Sequence, residues 1–168
     1  MVFMSGRVPY SRENLGRKAA EDLVRYLDDI VIPTAADFEA NPTSVRHGFL
    51  ACVVTFHAVD YLAYLKKSRS VRTRCRDQSI DFALVDHIAH AFKHVVSGHP
   101  KAPENAPLKF VEVISRPPAR WGMAEWGIAR WGDTVGGVTL DRESDVNLLL
   151  AVKRAVEFLH QQTAVRLA

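Results

Sequence analysis

The chain has 168 residues, 48% of them hydrophobic and 24% charged, with 22 Lys and Arg against 19 Asp and Glu and a net charge of +3. That length suits one domain of about 100–200 residues, and the composition is that of an ordinary globular protein, which excludes disordered, collagenous and disulfide-stapled classes. Two cysteines, Cys52 and Cys75, are too few for a disulfide framework and point to a reducing, cytoplasmic setting. No signal peptide is legible, and the longest apolar run, 49–56, falls well short of the roughly 20 residues that span a bilayer. The sequence pI near 9.0 is too mild for charge alone to define a partner.

Residues 1–10 read as a flexible tail, and 11–168 as a single helical domain with a β insertion at about 108–140. Ser11 and Glu13 open a first helix whose apolar stripe is Leu15, Ala19, Leu23, Leu27 and Ile30, ended or kinked by Pro33. That stripe is long enough to serve a homodimer as well as the chain's own core. Asn41-Pro42-Thr43-Ser44 stops one helix and caps the next, from about Val45 to Leu65, apolar nearly all round and therefore central. The polar connector 66–79 carries Lys66, Lys67, Arg69, Arg72, Arg74 and Arg76 against Asp77 alone, and its arginines would lower the thiol pKa of Cys75. A third helix runs from about Ile80 to Val96, with a core stripe of Leu84, Val85, Ile88, Phe92 and Val95.

After a proline-rich loop the period changes. Lys109 to Ser115 alternates as a half-buried strand does, and two further short strands fit near Gly127–Trp131 and Gly137–Leu140. Trp121-Gly122, Trp126-Gly127 and Trp131-Gly132 recur every five residues and read as core lids or as an aromatic platform. Asp141 or Ser144 caps a last helix to about Gln162. The expected fold is α+β and mainly α: a bundle of about four helices with a small antiparallel β-meander before the C-terminal helix.

The chemistry concentrates at His87-Ile88-Ala89-His90-Ala91-Phe92-Lys93-His94. At about 100° per residue, His87, His90 and His94 share about 60° of arc. His57 and Asp60 lie in a polar stripe on the otherwise apolar preceding helix, and a carboxylate there needs a cation or a donor. These residues predict two neighbouring helices whose polar stripes share a cleft. One chemistry for it is acid–base work on a phosphodiester, with His94, Lys93, His90, His57 and Asp60 as the catalytic candidates and no cofactor required. The six connector bases, Lys66, Lys67, Arg69, Arg72, Arg74 and Arg76, would then hold a phosphate backbone, RNA favoured. A second chemistry is a divalent metal, zinc or nickel, on the HxxxH pair His90 and His94 with His57 or Asp60 as a third ligand. The third reading is an interaction module without catalysis.

Two family resemblances attach to these motifs. The HxxxH pair joined by a histidine from another helix resembles the three-histidine site of DinB-type bundles. Arg154 followed by His160 resembles the Arg-to-His spacing of HEPN domains, helical and often RNA-cleaving. On an unbroken helix Arg154 and His160 stand about 120° apart, so no catalytic role is carried onto them.

Overall fold

The computed structural model of the protein describes residues 12–94, 108–120, 136–141 and 146–167. The described part is mainly helical. α1 (Arg12–Tyr26) continues through a five-residue π turn (Leu27–Val31) into α2 (Ile32–Ala40). α3 (Val45–Leu62), α4 (Ser68–Gln78) and α5 (Ile80–His94) follow, then a two-stranded sheet and α6 (Leu148–Leu167). This is the mainly helical α+β fold that the periodicities predict. The expected tail at 1–10, the caps at Ser11 and Ser144, the strand near 127–131 and the three Trp-Gly pairs lie outside the described residues. Asp141 is described, and it does not cap the last helix, which begins only at Leu148.

The first helix passes through Pro33 rather than stopping there. Proline has no N–H to donate, and its ring crowds the carbonyl four residues back. The wider π turn falls directly before it, with the Ile32 N–H bonded to the Leu27 carbonyl. The same turn decides which side chains reach the core. Leu23, Leu27, Val31 and Ala35, four apart each time, are all buried, while the expected Ile30 is 44% exposed. Four residues of α-helix overshoot a full turn by about 40°; a wider turn advances less per residue and brings Val31 back onto the buried side.

Ser44 caps α3 as its sequence predicts, its Oγ accepting from the His47 N–H at 3.3 Å. α3 is central and packs against every other helix. Gly48 lets it approach closely: a Cβ there would lie 3.2 Å from both Leu148 and Phe38. The helix ends at Leu62 rather than Leu65, and Leu65 takes a positive φ of 65°. That left-handed residue costs a leucine about 1–2 kcal/mol and reverses the chain into α4.

α4 corrects the connector reading. Residues 68–78 are helical, with Val71 and Cys75, one turn apart, buried. β1 (Val113–Arg116) pairs antiparallel with β2 (Gly137–Leu140), Val113 opposite Leu140 and Arg116 opposite Gly137. Residues 110–112 form a 3-10 turn, where strand was expected. Gly136, at φ +71°, has no room for a Cβ, which would meet the Arg116 carbonyl at 2.6 Å. α6 starts later than expected; the Asn147 side chain accepts from the Leu150 N–H at 3.1 Å. No helix among the described residues is long and apolar enough to cross a membrane.

Candidate functional site

The densest polar constellation joins α4 to α5. Asp86 lies on the arc of α5 that also carries Phe82 and Ala89, and its side chain is 0% exposed. A bare carboxylate there would be prohibitively costly. Two arginines one turn apart on α4 answer it. Arg72 Nε stands 2.8 Å from Oδ1, Arg72 Nη2 donates to Oδ2 at 3.1 Å, and Arg76 Nε reaches Oδ2 at 2.6 Å. The Nε–Oδ1 approach is ionic rather than an aligned hydrogen bond. The Arg72 and Arg76 side chains remain 27% and 33% exposed, so the cluster is a buried anion sealed by two partly exposed cationic side chains.

His90 closes the cluster. Its Nδ1 lies 3.0 Å from the Asp86 backbone carbonyl, 3.5 Å from Oδ1 and 3.3 Å from Arg72 Nη2. One nitrogen cannot donate to the carbonyl and accept from arginine at once; the shorter contact, with the carboxylate beside it, favours the donor role. Phe56 of α3 backs the site, with Arg72 5.1 Å above its ring and His90 edge-on at 5.0 Å. His87 is half-buried beside the arginines. Burial lowers its pKa below 6.5; repulsion from Arg76 and Arg72 adds to this, and Asp86 opposes it.

The predicted histidine–aspartate cleft is therefore rearranged. α3 and α5 are neighbours, as expected. His57 and Asp60 pair with each other at 3.2 Å with side chains 49% and 63% exposed, while His90 is drawn into the Asp86 cluster. Phe56 touches both histidines, at 5.2 Å from His57. Lys93 is exposed, and Phe92, expected in the core, is half exposed, stacked on Phe49. The side chain of His94 lies outside what is described, and among the described residues no group of three His, Cys, Asp or Glu could hold a metal. Asp86 escaped the sequence reading, although a carboxylate on the apolar arc of α5, preceded by Arg72 and Arg76 one turn apart, was the available signal. Cys75 is also corrected: burial raises its pKa, ahead of the lowering by Arg74.

The remaining bases face outward. Lys67, Arg69, Ser70, Thr73, Arg74 and Asp77 line a shallow groove of about 410 Å³ along the outer side of α4, and Lys66 is exposed just before it. Both hydroxyls are turned onto their own helix, Ser70 donating to Lys67 and Thr73 to Arg69. The cations therefore define the groove. Arg166 of α6 extends the same field: it donates to the Tyr61 carbonyl at 3.3 Å, and its pKa is lowered by burial and by the charge of Arg74. α6 is unbroken across Arg154 and His160, with Arg154 exposed. Comparison with known proteins found no matching family model, no matching curated protein and no matching solved structure.

Proposed function

We propose that this is a nucleic-acid-associated protein that holds the phosphate backbone of RNA along the outer face of α4. The observation that carries this reading is the division of labour among the connector bases. Arg72 and Arg76 are committed to Asp86 and fix the helix, which leaves Lys67, Arg69 and Arg74 on one exposed groove against the single carboxylate of Asp77. Cations mounted on a rigid helix lose less freedom on binding than cations on a mobile loop. Arg166 beside Arg74 strengthens the positive field without filling the groove.

The test is the salt dependence of binding to a single-stranded RNA oligomer. Changing Lys67→Gln, Arg69→Gln and Arg74→Gln together removes three phosphate contacts. The slope of log K against log salt should then fall by about 2, at roughly 0.7 per contact on a single strand. The circular dichroism should stay unchanged, because these side chains face solvent. An identical slope and affinity in the triple variant would remove the reading.

A further inference from the structure

A second groove, between α1 and α3, has the opposite character. It encloses about 440 Å³ and is lined by Leu15, Lys18, Ala19, Asp22, Asp60, Tyr61 and Tyr64. That volume is in the range of small-ligand sites, about 300–1,000 Å³. The aromatic wall is fixed from behind. Tyr61 stacks on Tyr26 at 4.9 Å, and the Tyr26 hydroxyl donates to the Val54 carbonyl at 3.0 Å. Tyr64 is 46% exposed and leaves ring surface open to a ligand. Asp60 is oriented by His57. Two carboxylates against one lysine make the lining net negative, on a chain whose overall charge is +3. The Tyr26 hydroxyl registers this field: its pKa is pushed up to about 12, by burial first, then by Tyr61 and Asp60.

The lining discriminates among ligand chemistries. An anion would meet Asp22 and Asp60. A purely apolar ligand would strip water from those carboxylates and offer nothing in return. An alkylammonium satisfies both demands, with its charge near the carboxylates and its methylene groups on the tyrosine rings. We infer that the groove between α1 and α3 is a binding site for a small organic cation of the alkylammonium class, held by Asp60 and Asp22 and packed on Tyr61 and Tyr64. The inference does not depend on the RNA reading, which uses the other side of the Leu65 turn.

The experiment is an NMR titration of the full chain with 1,5-diaminopentane, with 1,5-pentanediol as the uncharged probe of the same length. The diamine should shift the ring resonances of Tyr61 and Tyr64 saturably, and the diol should not. The double variant Asp22→Asn with Asp60→Asn should weaken the diamine at least about tenfold, the loss of roughly 1.4 kcal/mol of charge attraction. Tyr64→Ala should weaken it with both charges in place. A pentalysine peptide that binds more tightly than the diamine, and loses that binding in the double variant, assigns the cation to a basic protein segment; the reverse order assigns it to a free amine. The inference is overturned by equal binding of diol and diamine, by full-strength binding in the double variant, or by no saturable shift at either tyrosine.

Discussion

Asp60 and Asp86 each stand one helical turn from a histidine, on adjacent helices, and their fates differ completely. Asp60, with His57, sits at the rim of a groove with more than half of its side chain in water. Asp86 is sealed, with Arg72, Arg76 and His90 gathered round it. Water already solvates Asp60, so its partner adds little; exposed pairs contribute about 0–1 kcal/mol. Asp86 has given up that solvation, and the two guanidinium groups replace it. Motif content does not separate these two sites. Burial and the cations brought in from α4 do.

The largest test of that contrast is Asp86→Ala. It should destabilise the fold by about 3 kcal/mol, at the lower end for a broken buried ion pair because the freed arginines can rehydrate. Urea unfolding measures it, and a loss no greater than that of an exposed substitution would erase the contrast. Next come the arginines. Arg72→Gln or Arg76→Gln alone should cost about 2 kcal/mol, the scale of a hydrogen bond to a buried charge. Changing both should cost more than the sum, because either guanidinium alone still covers the carboxylate; strict additivity in the double-mutant cycle would show that they act on separate features.

A smaller effect is set by pH. His87 has its folded pKa lowered below 6.5, so the unfolded chain binds the extra proton first. Its contribution is fully present above 6.5 and is lost as the pH falls below that value toward the folded pKa. Stability should therefore decline on acidification, and His87→Gln should flatten that part of the profile; an equal slope in the variant would assign the loss to other groups. The smallest effect belongs to Asp60→Asn, below about 0.5 kcal/mol in urea unfolding. A cost near that of Asp86→Ala would mean that exposure does not govern the difference.

Much of the architecture was readable from periodicity and caps. Ser44 and the strand at Gly137–Leu140 fall where their residues predict, because each is decided by local chemistry. The site was less readable, because it is made by a long-range match. Six bases between Lys66 and Arg76 mask the apolar pair Val71 and Cys75 that marks α4 as amphipathic. Asp86 shares α5 with three histidines and belongs to no motif; its importance comes from its neighbours in space. The left-handed turn at Leu65 has no glycine or asparagine to announce it, so periodicity alone carries α3 three residues past its end at Leu62.

The π turn before Pro33 has a consequence for how this chain tolerates length changes. It acts as a phase corrector, resetting the rotation between Tyr26, bonded to α3, and Phe38, packed near Gly48. Deleting one residue between 27 and 31 would let the segment relax into ordinary α-helix, because a π turn holds one residue more than the α turn it replaces. The rotation between the two halves of the rod would then be nearly kept, with the tyrosine anchor and the phenylalanine plug both still seated. Inserting one further residue would instead turn one half by about 100° against the other, swinging one of the two anchors toward water.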